Sequence, residues 1–244
     1  AAPFLFLWII APVVAYWLSV PVGARVRPLN DRHRTVLRRT ARKTWRYFDT
    51  FVTEADSWLV PDNYQDDDTP KLARRTSPTN IAMSLLSTLA AHDLGYLSTD
   101  ALIRRLDATL GSLQGLERYR GHFLNWYDTA SLAPLHPRYV STVDSGNLAG
   151  SLIALAQGLL QIEEHPQTRE QRLAGLADTA DVLAAASSSS DARSGPREIV
   201  TEINRLARAI VSATHSPVAD DVVTAIQALG AQLAAAAATV PHQE

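Results

Sequence analysis

The first 22 residues of the chain contain no charged side chain, and the first charge is Arg25. About 20 consecutive apolar residues are enough to cross the hydrocarbon core of a bilayer. Trp8, Tyr16 and Trp17 suit the membrane–water interface, where aromatic rings are enriched. We therefore predict a transmembrane helix over residues 1–24; the alternative is a helix buried in a protein core.

A basic segment, residues 25–56, follows this apolar run directly. From Asp31 to Ala55 apolar side chains recur near a 3.6-residue period with charges between them, which predicts a helix. Positive charge beside a membrane span keeps that flank in the cytoplasm and attracts anionic lipid headgroups. We expect a juxtamembrane helix on membrane lipid, with the rest of the chain on the cytoplasmic side; the alternative is a solvated helix face. The cations, opposed only by Asp31, are Arg25, Arg27, Arg32, Arg34, Arg38, Arg39, Arg42, Lys43 and Arg46.

Helix start signals begin again at Ser77-Pro78. Ser is a favoured N-cap, and Pro is favoured at the first helical position, so a helix is predicted from there to about Gly95. Ser98 or Thr99 caps the next helix, whose leucines recur at helical spacing. Both helices show one apolar face and are predicted to pack on a common core.

A third helix in this region is predicted from Asp144 or Ser145 to about Ile162. The chain shows no run of alternating β-branched residues, which would indicate strands. The predicted fold class is therefore all-α, built from successive antiparallel helix hairpins. Three later helices are predicted at 168–186, 196–214 and 217–238, with a low-complexity turn at Ser187–Gly195.

Polar motifs precede every second helix in this series. The helices that start at Ser77 and Asp144 have rich polar blocks at their beginnings, whereas those at Ser98 and Thr168 have plain caps. In a closed ring of helical hairpins, alternate helices line the inside and begin at the same rim. We therefore expect the polar blocks to meet at one rim.

Composition excludes several classes of site. The net charge of −2 does not favour a nucleic-acid partner, and the absence of Cys excludes disulfides and thiolate metal sites. The seven His include no pair at metal-ligand spacing, so no metal is predicted, and no phosphate-cradling Gly loop or nucleotide fingerprint indicates a cofactor. Because the chain opens directly on an apolar run without Met, we expect it to be a fragment of a longer protein.

The polar blocks combine Trp, Tyr, Asn, Asp and Arg, the side chains that suit a sugar ligand. Aromatic faces stack on sugar C–H surfaces, while amides and carboxylates bond the hydroxyl groups. Glycoside chemistry needs two carboxyl groups, but the sequence does not single out a pair. The alternatives are structural: helix caps, an Arg paired with a nearby acid, and an aromatic plug beneath the helix ends. The nearby acids are Asp62, Asp128 and Asp144.

Four blocks within about residues 45–160 resemble the cyclic β-1,2-glucan synthase family. The resemblance becomes general from about Gln161 onward. The blocks are Trp58-Leu-Val-Pro-Asp-Asn-Tyr-Gln65, Arg75-Thr-Ser-Pro-Thr-Asn-Ile81, Leu116 through Asp128 with Gly-His-Phe-Leu-Asn-Trp-Tyr-Asp at its end, and Pro137-Arg-Tyr-Val-Ser-Thr-Val-Asp-Ser-Gly-Asn-Leu-Ala-Gly150.

That resemblance implies a large protein of the bacterial inner membrane. In this family a glycosyltransferase domain extends β-1,2-glucan from UDP-glucose, and a middle glycoamylase-like (α/α)6 domain cyclises the chain by transglycosylation. A third, phosphorylase-like domain adjusts the chain length. The sequence resembles the last membrane span and, over residues 57–244, part of the (α/α)6 domain. The remaining domains of the parent chain and linear β-1,2-glucan are the implied partners.

The resemblance implies candidate substrate contacts but no catalytic residue, because the principal acid/base glutamates are expected beyond residue 244. The leading hypothesis is a fragment of the cyclising domain. A membrane-anchored glucan-binding or assembly module without activity is the second, and an unrelated toroid hydrolase of another β-glucan is the third. The candidate contacts are Arg75, Asn80, Asn125, Trp126, Tyr127, Asp144 and Asn147.

Overall fold

The computed structural model of the chain describes residues 2–20, 28–66, 69 and 71–189. Contacts divide the chain into two compact units, the first ending at Thr35 and the second beginning at Val36. Six α-helices lie within the described residues: α1 (Ala2–Ser19), α2 (Asp31–Phe51), α3 (Pro78–Asp93), α4 (Thr99–Gly115), α5 (Thr142–Glu164) and α6 (Arg169–Ser189).

The first unit is dominated by α1, which is apolar on all sides and contains Pro12. Its large side chains are exposed, with Phe4 at 73%, Trp8 at 80% and Trp17 at 74%. In the part of the chain that the structure describes, no helix combines the length and apolar character needed to cross a membrane. The predicted membrane span is therefore not confirmed.

The core of the second unit lies between α3, α4 and α5. Ile81 and Leu85 of α3, Leu102 of α4, and Leu148 and Leu155 of α5 are buried together. The spacing of four residues in α3 and of seven in α5 places each pair on one helix face, as the sequence pattern predicts. Burial of these side chains holds α3 directly against α5.

Both predicted starts at serine caps are confirmed, and the third is displaced. Ser77 Oγ accepts the N–H of Asn80 at 3.2 Å, and Ser98 Oγ accepts the N–H of Ala101 at 3.2 Å. The cap of α5 is Ser141, not Asp144 or Ser145, so the Asp-Ser-Gly-Asn block lies inside the first turns of the helix. Ser141 prevails because its backbone is extended and its hydroxyl reaches an N–H three residues on.

The described residues are mostly helical, in agreement with the predicted all-α class, and three short antiparallel strand pairs lie between the helices. Each strand has two residues, too few to show an alternating pattern in the sequence. They lie in the connectors between helices, where the backbone groups need partners. The pairs are β1 (Tyr64–Gln65) with β2 (Lys71–Leu72), β3 (Arg75–Thr76) with β6 (Tyr127–Asp128), and β4 (Arg118–Tyr119) with β5 (His122–Phe123).

Helix α2 ends at Phe51, before the predicted end at Ala55, and a short 3-10 helix covers Glu54–Asp56. Helix α6 extends to Ser189, so the predicted low-complexity turn of residues 187–195 begins inside a helix. The rest of that turn and the helices predicted at 196–214 and 217–238 lie outside the described residues.

Part of the basic segment contacts α6. Arg38 forms an ion pair with Asp178 at 2.8 Å, and Arg42 Nε donates to Thr179 Oγ1 at 2.8 Å. The hydroxyl of Tyr96 donates to the same Asp178 at 2.9 Å, and burial raises the pKa of Tyr96. These cations therefore hold α2 against α6 instead of forming a free basic face.

Candidate functional site

The N-terminal ends of α3 and α5 lie side by side. Thr79, in the first turn of α3, donates its hydroxyl hydrogen to the carboxylate of Asp144 in the first turn of α5. The amide of Asn147 donates to Thr79 Oγ1 at 3.0 Å. The prediction that alternate helices begin at one rim is confirmed for these two helices. We use "rim" for Asp62, Arg75, Thr79, Asn80, Trp126, Asp144 and Asn147.

The carboxylate of Asp62 joins two of the predicted blocks. Arg75 donates to Asp62 Oδ2 from Nη2 at 2.9 Å and from Nε at 3.1 Å. Asn80 donates to the other oxygen, Oδ1, at 3.3 Å. Since Asn80 follows Thr79 directly, one turn of α3 connects Asp62 on one side with Asp144 on the other.

Trp126 reaches the rim because β6 pairs with β3. The antiparallel register places Tyr127 opposite Thr76 and Asp128 opposite Arg75. The guanidinium carbon of Arg75 lies 5.0 Å from the centre of the Trp126 ring, a cation–π contact. Arg75 therefore covers part of a half-buried indole and is held by Asp62 at the same time.

Asp128, one of the three predicted acids, is held by its own turn. Its Oδ1 accepts the N–H and the hydroxyl of Ser131, each at 2.8 Å, and the N–H of Ala130 at 3.1 Å. The hydrogen bonds from Ser131 lower the pKa of Asp128 below its ordinary value. A general acid needs a raised pKa, so the surroundings of Asp128 do not suit that role.

Asn125 and Tyr127 are buried behind the rim. Tyr127 has 0% exposure; its hydroxyl donates to the carbonyl of Glu117 and accepts the N–H of Leu124, both at 2.6 Å. Burial raises the pKa of Tyr127. Asn125 Oδ1 accepts the N–H of Tyr139 at 3.4 Å. These two side chains have almost no exposed surface for a ligand. Tyr127 matches the alternative of an aromatic plug beneath the helix ends.

Asp56, a buried carboxylate that the sequence analysis did not identify, connects the segments beside the rim. Asp56 is 2% exposed, and Arg74 Nη1 donates to its two oxygens at 2.9 and 3.0 Å. The hydroxyl of Thr129 donates to Asp56 Oδ1 at 2.6 Å. This network ties the residues before β3 to those after β6. The sequence holds no signal for it, because nothing distinguishes Arg74 from Arg75.

The rim offers donors and acceptors to a polyhydroxylated ligand. Asn80 and Asn147 present amides, Asp62 and Asp144 present carboxylates, and the Trp126 indole is partly exposed. Such a mixture of an aromatic surface with a few polar groups is typical of sugar sites. Among the described residues, no three His, Cys, Asp or Glu side chains are placed to hold a metal ion.

Comparison with known proteins supplies an independent observation. No protein-family model matches the chain. Over 183 residues, 74% of its length, the chain is 42% identical to cyclic beta-(1,2)-glucan synthase NdvB of Rhizobium meliloti strain 1021. The resemblance to the cyclic β-1,2-glucan synthase family is confirmed. The chain spans about 6% of the length of that synthase.

A similar solved structure is that of a protein provisionally named as a glucoamylase, from Bacteroides fragilis NCTC 9343. The two are 17% identical with a TM-score of 0.45, covering 66% of this chain and 38% of the other. This similarity is too low to assign the fold, so the (α/α)6 fold of this chain stays a proposal.

Proposed function

We propose that the chain is part of a cyclic β-1,2-glucan synthase and that its rim holds linear β-1,2-glucan. The observation that carries this proposal is the convergence of the motif blocks: Asp62 binds Arg75 and Asn80, while Thr79 binds Asp144 and Asn147. The 42% identity to a synthase named for cyclic β-(1,2)-glucan supports this choice of ligand.

The proposed reaction is cyclisation by transglycosylation in a glycoamylase-like (α/α)6 domain. A glycosidic bond of the linear chain breaks, and a hydroxyl of the same chain takes the place of water at the released sugar carbon. The proton of that hydroxyl passes to the leaving oxygen through carboxyl groups. In this proposal the rim positions glucan, other parts of the parent protein supply the principal acid and base, and UDP-glucose serves a separate domain.

Product analysis tests the reaction. Membranes that contain the full-length protein receive linear β-1,2-glucan, and the products are weighed by mass spectrometry. Cyclisation predicts products lighter by one water than linear chains of equal length. Shorter linear products would instead indicate a hydrolase.

The second candidate is a glucan-binding or assembly module without activity. The favouring observation is that Asp62 is paired with Arg75 and that Asp128 is held in its turn with a lowered pKa. The environment of Asp128 is therefore not that of a general acid, and the Asp62 carboxylate is occupied by Arg75. Glucan that binds to the full-length folded protein and stays chemically unaltered would establish this candidate and exclude the cyclase.

Replacing Trp126 by Ala tests the binding surface. If the indole stacks on a glucose unit, the substitution should weaken glucan binding by about 1.5–3 kcal/mol, the range for burying a large apolar side chain. Trp126→Phe should retain part of the affinity because a ring remains. Isothermal titration with linear β-1,2-glucan measures both, and unchanged affinity in folded Trp126→Ala would remove Trp126 from the site.

For the first unit we propose that residues 1–24 anchor the protein in the bacterial inner membrane. The exposed aromatic and aliphatic side chains of α1 support this proposal, because such a surface is unfavourable in water. The arginines that follow favour a cytoplasmic position for residues 25–244, beside anionic lipid.

A further inference from the structure

A cavity of about 560 Å³ opens between the β4–β5 hairpin and the segment that precedes α5. It shares no lining residue with the rim. Its volume falls within the range of ordinary small-molecule sites, roughly 300–1,000 Å³. The side chains that give it chemical character are Glu117, Arg118, Tyr119, Arg120, Arg138 and Tyr139.

Two buried residues, Tyr127 and Asn125, hold the two walls of this cavity. Tyr127 bonds the carbonyl of Glu117 on one wall, and Asn125 bonds the backbone of Tyr139 on the other. The N–H of Asn125 also donates to the carbonyl of Tyr139 at 2.9 Å. The cavity is therefore built into the fold by side chains that are themselves fully or nearly fully buried.

The hairpin that forms one wall has a fixed turn. Arg120 and Gly121 both have positive φ, 49° and 87°, which is the backbone pattern of a type I′ turn. The guanidinium of Arg120 lies 5.4 Å from the ring centre of Tyr119. The turn thus places a cation and an aromatic ring together at the mouth of the cavity.

Positive charge exceeds negative charge in the cavity wall. Arg138 is paired with Glu117, which is the acid among these six side chains. Arg118 lies over Phe123 at 4.4 Å and donates to the carbonyl of Leu113 at 3.2 Å. With Arg120 on its turn, two guanidinium groups remain that the Glu117 carboxylate does not neutralise.

Two tyrosines complete the wall. Tyr119 is 57% exposed and Tyr139 is 51% exposed, although both side chains are large and partly apolar. Exposed rings of this kind stack on sugar faces, and guanidinium groups bind phosphate or carboxylate through paired N–H donors. The combination differs from the rim, which has one arginine, Arg75, paired with Asp62, and a second carboxylate, Asp144.

We propose that this cavity binds a saccharide that bears an anionic group, phosphate or carboxylate. The tyrosine rings take the sugar, and Arg118 and Arg120, the two guanidinium groups that Glu117 does not neutralise, take the anion. This site is separate from the neutral glucan chain proposed for the rim, so either can fail without the other.

Titration of the full-length protein, in a mild detergent, tests the proposal. The probes are glucose 6-phosphate, glucuronate, glucose and inorganic phosphate. At least one anionic sugar should bind roughly tenfold or more tightly than glucose and than phosphate alone, with affinity that falls as salt is added. Arg118→Gln with Arg120→Gln should lower that affinity by about tenfold or more, and Tyr139→Ala should lower it also.

Arg104→Gln is the matched control, since this exposed arginine of α4 does not line the cavity. It should leave the affinity unchanged. Arg120→Gln alone, at an exposed position, tests the site should the double variant fail to fold. Equal binding of glucose and both anionic sugars, or equal binding of phosphate and glucose 6-phosphate, would overturn the proposal. Linear β-1,2-glucan binding, measured in parallel with Trp126→Ala, reports the rim separately.

Discussion

A single carboxylate, Asp56, connects the two loops that build the rim. Its oxygens accept hydrogen bonds from Arg74 and from the fully buried hydroxyl of Thr129. Replacing Asp56 by Ala should lower the free energy of unfolding by about 1–3 kcal/mol, because a buried donor loses its partner. Urea unfolding followed by circular dichroism measures the change.

Asp107→Ala is the control for that substitution. Asp107 lies exposed on α4 and is also an aspartate replaced by alanine. It should shift the free energy of unfolding by no more than about 0.5 kcal/mol. An equal loss in the two variants would show that the Asp56 network contributes nothing specific.

The turn at Asp128 predicts a defined pH dependence. Hydrogen bonds from Ser131 lower the pKa of Asp128 in the folded state below the ordinary 3.8. The stabilisation is therefore present above the ordinary pKa and is lost as pH falls through the lowered folded pKa. Ser131→Ala should raise the pKa of Asp128 and destabilise the protein near neutral pH, with the difference vanishing in acid.

NMR titration of the Asp128 carboxyl carbon and urea unfolding across acid pH test this prediction together. Ser87→Ala, which removes a hydroxyl from α3 far along the sequence from Asp128, is the comparison variant. The Ser131 N–H remains in Ser131→Ala, so an unchanged pKa of Asp128 would contradict the contribution assigned to the Ser131 hydroxyl.

The residue types of the site could be predicted from the sequence, but their directions could not. Asn125, Trp126 and Tyr127 were predicted as contacts together. Asn125 and Tyr127 are buried, while Trp126 between them is only half-buried and contacts Arg75 of the rim. The pairing of β3 with β6 decides which side is buried, and two-residue strands leave no pattern from which to read it.

At the scale of elements, helix existence followed from the sequence more securely than helix ends. Leu102 and Leu106 lie in the core as their spacing predicts. The start of α5 was placed too late because Ser141, Asp144 and Ser145 are all acceptable caps. In the structure Ser141 is the cap, since its backbone is extended and its hydroxyl accepts the N–H of Asp144.

The backbone of the α3–α4 turn lies very close to the backbone of α6, and this packing can be tested by a substitution. A Cβ atom on Gly175 would lie 2.2 Å from the carbonyl oxygen of Gly95, which itself has a φ of +83°. Gly175→Ala should therefore force α6 away and lower the free energy of unfolding by about 1–3 kcal/mol, the usual cost of overpacking.

Gly111→Ala is the matched control, since a Cβ there meets nothing within 4 Å. It should leave stability unchanged or raise it by about 0.5–1 kcal/mol, because alanine favours helix more than glycine does. Urea unfolding compares the two variants. A neutral Gly175→Ala would mean that α6 does not approach the turn this closely in solution.

At the scale of the whole molecule, counting the charges along residues 25–56 overestimates how many of their cations are free of protein contacts. Arg38, Arg39 and Arg42 contact Asp178, Asp181 and Thr179 of α6. Those partners lie well over a hundred residues away in the chain, so no local window of sequence could have assigned them. Arg32 and Arg34, earlier in the segment, and Arg46, later in it, make none of these contacts with α6.

The proposed orientation can be tested on the intact protein because these 244 residues contain no cysteine of their own. Asp107→Cys introduces a thiol at an exposed position of α4, and the unsubstituted protein gives the background labelling from cysteines elsewhere in the parent chain. The α1 surface predicts that the protein sediments with membranes after carbonate washing, and the following arginines predict a cytoplasmic thiol. A membrane-impermeant maleimide should therefore modify Cys-bearing protein in inverted vesicles but not in intact spheroplasts. Labelling in intact spheroplasts would place α4 on the outer face, and release by carbonate would exclude an anchor in α1.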